Sequence, residues 1–311
     1  MRLLKHYRFS KLAGFLRSLN KKRFSKIRKI QKRLADLQKL TRCVVCEAEE
    51  FELISESDRF GLLFDKRICK NCGLMQTNPM PPKEFFNTFY NIDYRELYRG
   101  NREIDLPKIL EIQRSRSRDF SVFIKENCNL KDFLVFEIGC SYGGNLDTFS
   151  ELGCSVSGCD LDSYAISVAQ QRHSAVFISE LPVKTNTKPT IYILSHVLEH
   201  IPDPINFLHK IHSFMTESDL LFVEVPGIAS LLHGAYRGNL LNYIHIGHVL
   251  EFNETTLVNS LNFAGFEALA SNELCRGIFK KSTYKPIEFE NAYEMTKNQI
   301  LSIENKFLKS F

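Results

Sequence analysis

No stretch of this sequence stays apolar for the roughly 18 residues that a bilayer-crossing helix needs. The best one, Leu220 to Leu232, is broken by Glu224 and Pro226. A secretory leader is missing too, because Leu12 to Leu16 is only five residues and is enclosed by Lys11 and Arg17. The chain is therefore expected in the cytoplasm. No internal repeat or low-complexity tract is evident, so nothing points to a repeat array. Acidic residues are almost absent from residues 1–40, where 14 Lys/Arg face the single Asp36; 27 basic and 35 acidic residues follow. The formal charge of +5 thus hides a basic arm and an acidic body.

What is present suits one α/β domain and a smaller module: 311 residues, 44% of them hydrophobic. In residues 1–40, Leu12, Phe15, Leu16, Leu19, Ile27, Ile30, Leu34 and Leu37 recur at three- and four-residue spacing among lysines and arginines. This predicts a basic amphipathic helix, or two. Such an arm could lie on an anionic membrane, at the inner surface, or pack on its own protein. Residues 41–100 change to short alternating segments around cysteines, with the turn-forming run Asn78 to Pro82. Residues 101–128 read as a connecting helix. Strand and helix patterns then alternate, which marks 129–275 as a domain with a parallel sheet and crossover helices. Residues 276–311 read as a tail with a last amphipathic helix carrying Met295, Ile300, Ile303 and Phe307.

Of nine cysteines, four form two pairs, Cys43-Val-Val-Cys46 and Cys69-Lys-Asn-Cys72, separated by 22 residues. Two such knuckles converge on one tetrahedral ion, and four thiolates favour zinc. A four-cysteine set leaves no open position for water, so the metal is expected to be structural. Between the pairs, Glu47, Glu49, Glu50, Glu52, Glu56, Asp58 and Asp65 outnumber Arg59, Lys66 and Arg67. That balance repels phosphate and disfavours nucleic acid as a partner.

The segment Phe133 to Phe149 reads as a buried strand, a glycine-rich turn through Glu137, Gly139, Ser141, Gly143 and Gly144, and the opening of a helix. Its spacing is not the GxGxxG of dinucleotide enzymes, so no pyrophosphate cradle is demanded. A second strand, Ser155 to Asp160, ends 21 residues past Gly139 in a carboxylate placed to accept both hydroxyls of a ribose.

With these residues the chain resembles the class I S-adenosylmethionine-dependent methyltransferases. The resemblance continues through Ile191 to Pro204, containing Ser195-His196-Val-Leu-Glu199-His200, and through Leu220 to Pro226. It implies a Rossmann-like α/β methyltransferase sheet in 129–275, with S-adenosylmethionine as cofactor. By that resemblance the Glu137–Gly144 turn holds the methionine part, Asp160 the ribose and Leu161 flanks the adenine. Ser195 and His196 line the cofactor, and Glu180 stands for a third acidic position. The two knuckles with Gly73-Leu74, Asn78-Pro79 and Phe89-Tyr90 look like the zinc-binding domain in front of certain bacterial sugar-modifying methyltransferases. Deoxysugar C-methyltransferases with this front end carry a further large carboxy-terminal domain, for which this chain has no room. The expected acceptor is a small or carbohydrate-linked molecule, as in carbohydrate biosynthesis.

In-line transfer from a sulfonium needs alignment and, for some acceptors, removal of a proton. His196 and His200 stand four apart, but not in the HExxH order of a zinc hydrolase. His200 either braces its loop or meets substrate. His245 and His248 precede a helix capped by Asn253 or Thr255, and either imidazole could serve as general base. Two other classes stay open: a silent zinc-ribbon adaptor, and an NAD-dependent sugar oxidoreductase. Intact Gly139, Gly143 and Asp160 disfavour the first; the missing GxGxxG turn and Tyr-x-x-x-Lys pair disfavour the second.

Overall fold

The computed structural model describes residues 21–58, 61–89, 104–182, 188–283 and 290–308. The first half of the basic arm, with Leu12, Phe15, Leu16 and Leu19, lies outside the described residues, as does Tyr90. The second half is helix α1 (Lys21–Ala35). Its three- and four-residue spacing places Ile27, Ile30 and Leu34 on one side, all buried in the main core, while Arg28, Lys29 and Lys32 remain exposed. This half packs on its own protein. Gln31 holds it there by donating to the Leu63 carbonyl at 3.1 Å and accepting from the Leu63 amide at 2.7 Å.

The cysteine region folds as antiparallel strands β1 (Phe51–Ser57), β2 (Leu63–Cys69) and β3 (Met75–Asn78), then the short helix α2 (Lys83–Thr88). Helix α3 (Leu106–Asn127), with Asp105 accepting from the Lys108 amide at its start, leads into the larger sheet. There the chain runs β4 (Leu134–Ile138), α4 (Gly144–Glu151), β5 (Val156–Asp160), α5 (Ser163–Ala169) and β6 (Val176–Ile178). It returns through β7 (Thr190–Ser195), α6 (Pro204–Phe214) and β8 (Leu220–Glu224). After the single turn α7 (Leu240–Tyr243) come β9 (Leu250–Glu251), α8 (Glu254–Phe263), β10 (Phe266–Asn272), β11 (Arg276–Lys281) and α9 (Tyr293–Leu308).

Seven strands lie in the order β10-β11-β8-β7-β4-β5-β6. Pairing is parallel from β8 through β7, β4 and β5 to β6, while β11 runs antiparallel to both β8 and β10. Every side chain of β7 and β8 is buried, as befits central strands covered on both faces. Helix starts are fixed by short polar side chains: Asp162 caps α5, Asp203 caps α6 with Pro204 behind it, and Asn253 with Thr256 forms a capping box on α8. The chain winds outward from β4 to β6 and then restarts at β7 on the other flank of β4. That reversal opens a crevice at the carboxyl ends of β4 and β7. Residues 276–281, read from the sequence as part of the tail, form β11 inside the sheet. Only Ile278 and Phe279 are apolar in that strand, between Gly277 and two lysines, so its pattern is too short to announce it.

A second sheet, β1-β2-β3-β9, takes its last strand from the α/β domain. Met75 and Gln76 pair with Glu251 and Leu250, so the two parts share a hydrogen-bonded ladder. Lys66 of β2 is wholly buried against Glu251 of β9, and its ammonium also donates to the His248 carbonyl at 2.6 Å. The tail docks on the same join. Ile300 and Ile303 enter the core, and the Thr296 hydroxyl donates to the Gly73 carbonyl at 2.9 Å while accepting from Asn253 at 2.8 Å. A Cβ on Gly73, which holds φ 78°, would meet the Ala292 backbone at 2.4 Å. Among the described residues no helix is long and apolar enough to cross a membrane.

Burial raises the Glu251 carboxyl and lowers the Lys66 ammonium, and their mutual attraction opposes both. Removing one partner strands the other charge, which costs about 3–5 kcal/mol, whereas an apolar pair of similar size is close to neutral. We expect Lys66→Met to lower the urea midpoint by an amount in that range, and Lys66→Met with Glu251→Met to recover most of it. Equal loss in the single and double variants would show that the pair does not join the two sheets.

Candidate active site

The crevice is a cleft of about 710 Å3. Its floor is the turn after β4, where Gly139 holds φ 79° and a Cβ would stand 2.6 Å from Val197. One wall is the end of β5, the opposite wall the segment after β7 and the start of α6. Its fourth side comes from α2, whose Lys83 and Phe86 face the cleft. Nothing in the periodicity of residues 83–88 marks them as site residues, because only the join of the two sheets brings α2 here. Lys83 reaches Glu180 across the opening at 2.7 Å, so Glu180 also lines the cleft.

Four of the residues expected to hold a cofactor, Gly139, Ser141, Asp160 and Leu161, line this cleft. The Asp160 carboxylate accepts the Ser141 amide on one oxygen and the Asp162 amide on the other, each at 2.8 Å. Burial raises this carboxyl, and the two amides work against the rise. The bonds orient the group while leaving acceptor capacity on both oxygens. Leu161 projects beside it, 57% exposed. Ser141 and His196 adopt φ of 49° and 57°, a region that residues other than glycine seldom occupy.

The other four lie behind the lining. Glu137 is wholly buried, accepts from the Asn145 side chain at 2.5 Å, and is pushed up to about 8 by burial. Gly143, at φ 79°, starts α4, and a Cβ there would come within 3.1 Å of Ala169. Ser195 is buried at the end of β7, and the His196 amide donates to the Glu224 carbonyl at 2.9 Å.

Among the histidines expected to do chemistry, only His200 lines the cleft. His245 and His248 are buried beside it, their rings 3.9 Å apart, with His248 5.0 Å from His200. His200 and His248 gather around Glu199, a residue that spacing alone does not single out. Glu199 is 1% exposed, and neither carboxylate oxygen accepts a hydrogen bond. His200 Nε2 lies 3.4 Å and His196 Nδ1 3.5 Å from its Oε1. Burial works to raise the Glu199 carboxyl, but positive charge on His200, His196 and His248 would hold it down near 2. Burial drives His248 itself well below the usual imidazole range, which takes His248 out of that positive count.

The four cysteines expected as metal ligands, Cys43, Cys46, Cys69 and Cys72, converge with all Sγ atoms within 4.8 Å of one another. Cys43 and Cys72 are 3.7 Å apart, Cys46 and Cys69 3.5 Å. A tetrahedral ion with metal–sulfur bonds of about 2.3 Å needs edges of about 3.8 Å, so the donors fit a zinc-sized ion.

No curated protein matches the chain. Among solved structures it is similar to human N-acetylserotonin methyltransferase in complex with SAM, at 18% identity and TM-score 0.42, covering 65% of this chain and 60% of that one. Magnesium protoporphyrin IX methyltransferase from Synechocystis with bound SAH shares 14% identity at TM-score 0.44, covering 65% of this chain and all of that one. A SAM-dependent methyltransferase from Aquifex aeolicus shares 15% identity at TM-score 0.43, covering 58% of this chain and all of that one. The model of the family described as "Methyltransferase domain" matches residues 112–271, from within α3 to β10, which takes in the cleft floor, Asp160 and the histidines. That match spans more than half of the residues, and the chain belongs to the methyltransferase-domain family.

Proposed function

We propose that this chain transfers a methyl group from S-adenosylmethionine to a small or carbohydrate-linked acceptor held in the cleft, and that the four cysteines bind a structural zinc ion. The observation that carries the reading is Asp160: a carboxylate oriented by two amides at the end of β5, opening on a 710 Å3 cleft beside a side-chain-poor turn. Its free lone pairs suit a ribose diol, and the exposed Leu161 next to it suits an adenine face. The cofactor, when bound, supplies an electrophilic methyl group on a sulfonium. The residues of the chain then have to align the acceptor with that methyl group and shield the pair from water. Val197, Ile201 and Phe207 give the acceptor side an apolar wall, and Asn206 and Lys210 give it polar contacts. A proton released by a hydroxyl acceptor meets the imidazole–carboxylate cluster at His200.

Calorimetric titration tests the cofactor assignment. S-adenosylmethionine and its demethylated product should both bind, and Asp160→Asn should weaken them about 10- to 100-fold, since hydrogen bonds to a charged group contribute about 1.5–3 kcal/mol. Binding of NAD with no response to S-adenosylmethionine would overturn the reading. For the cysteines, Cys43→Ser with Cys46→Ser should lower bound zinc by about one ion per chain and unfold β1 to β3, because such an ion contributes folding energy directly. A variant that keeps both its zinc and its fold would rule out this ligand set.

Glu137 gives a pH dependence with a definite sign. Its folded value near 8 lies above the ordinary carboxylate range, so between about 4.3 and 8 the folded chain holds a proton that the unfolded chain releases. This contribution is fully present below about pH 4.3 and is lost as pH rises through 8, at up to about 1.4 kcal/mol per pH unit. Glu137→Gln should flatten that part of the profile in the cofactor-free protein, measured by urea unfolding at pH 5 and pH 7.5. An unchanged slope would mean that Glu137 is ionised in the fold.

A further inference from the structure

Glu199, His200 and His248 come from two segments far apart in the chain, yet one ligand atom from each lies within 4.8 Å of the others. Their protonation pattern is constrained by the backbone. A carbonyl oxygen only accepts, so the 2.6 Å contact between His200 Nδ1 and the Gly247 carbonyl places the ring proton on Nδ1. The other ring nitrogen, Nε2, faces Glu199 Oε1 from 3.4 Å. Glu199 is 1% exposed, and neither of its oxygens accepts a hydrogen bond. A buried carboxylate without hydrogen bonds calls for positive charge beside it, which an ion shared with the imidazoles would supply.

We propose that Glu199, His200 and His248 bind a divalent transition-metal ion, zinc being the first choice, at the wall of the cleft. The 3.4 Å separation of His200 Nε2 from Glu199 Oε1 is close to the edge of a tetrahedron built on metal–ligand bonds of about 2.0–2.2 Å. The carbonyl behind His200 is the outer partner that metal-bound imidazoles ordinarily have, fixing the ring and raising its basicity as a ligand. Two imidazoles and one carboxylate leave a tetrahedral ion one free position, unlike the closed four-cysteine set. Because His200 also lines the cleft, that position is open to water or to an oxygen of the acceptor. The proposal goes beyond the methyltransferase reading and needs neither cofactor nor substrate to be tested.

The test is titration of the metal-free full chain with Co2+, followed by absorption and by metal analysis. Cobalt on thiolates gives intense sulfur-to-metal charge-transfer bands, whereas cobalt on imidazole and carboxylate gives only weak d–d bands. The wild-type chain should take up about two ions, one with charge-transfer bands and one without. Glu199→Gln, which keeps the size of the side chain and removes its charge, should take up only the thiolate-bound ion with an unchanged circular dichroism spectrum. His200→Asn should do the same if the Gln variant does not fold. Saturation of the wild type with thiolate-bound cobalt alone, or a second ion retained in folded Glu199→Gln, would overturn the proposal. A failure of the cysteine assignment would look different, since the charge-transfer bands would be missing while the d–d bands remained.

Discussion

A buried ammonium is tolerated only beside a buried anion, and the placement of Lys66 against Glu251 is the constraint on which the rest of this structure depends. Lys66 belongs to the cysteine module and Glu251 to the α/β domain, and neither side chain is accessible to water. Burying either charge without the other would leave it uncompensated in an apolar setting. The pair therefore selects one arrangement of the two sheets, whatever its net contribution to stability. The short β3–β9 ladder adds direction to that choice, because strand pairing fixes register as well as proximity.

The cleft is assembled from the consequences of this join. One side follows from the doubly wound sheet alone, with the Gly139 turn and Asp160 at the carboxyl ends of adjacent parallel strands. The other side needs the module in place: α2 supplies Lys83 and Phe86, and the segment before β9 sets His248 behind the cleft-lining His200. Polar groups are concentrated on the second side. Glu199, Glu224, His245 and His248 are all buried there, a density of ionisable side chains that an ordinary core avoids. Its cost in stability is consistent with a site kept for its chemistry.

What was legible in the sequence follows how local each signal is. The β4 turn, the β5 carboxylate and the two CxxC knuckles are each written within a few consecutive residues, and their spacing along the chain carries into space through regular strands. Apolar spacing in α1 was legible too, but whether Ile27, Ile30 and Leu34 faced lipid or protein was not, since the same stripe serves either surface. The features that stayed hidden are products of long-range pairing. Strand β9 is two residues long, β11 has two apolar residues, and Lys66 looks like any solvated lysine until Glu251, 185 positions later, is brought to it. Glu199 stays hidden for a related reason. It follows two conspicuous strand-end residues and gains meaning only from imidazoles that arrive from residues 245–248.

The cysteine site and the cleft share no residue, yet the backbone leaves little freedom between them. From Cys69 the chain turns through Gly73 into β3, and the Thr77 amide donates to the Val249 carbonyl at 2.8 Å. The Val249 amide in turn donates to the Glu199 carbonyl at 2.9 Å, while Lys66 holds the His248 carbonyl from the other strand of the module. Val249 is thus hydrogen-bonded on one side to the cysteine module and on the other to the residue at the centre of the histidine cluster. An ion held by all four cysteines would have no position left for a reacting group, so its influence on chemistry would have to pass through structure. Here that path is short: whatever fixes the knuckles fixes β2 and β3, and these fix the segment that sets His248 against Glu199 and His200.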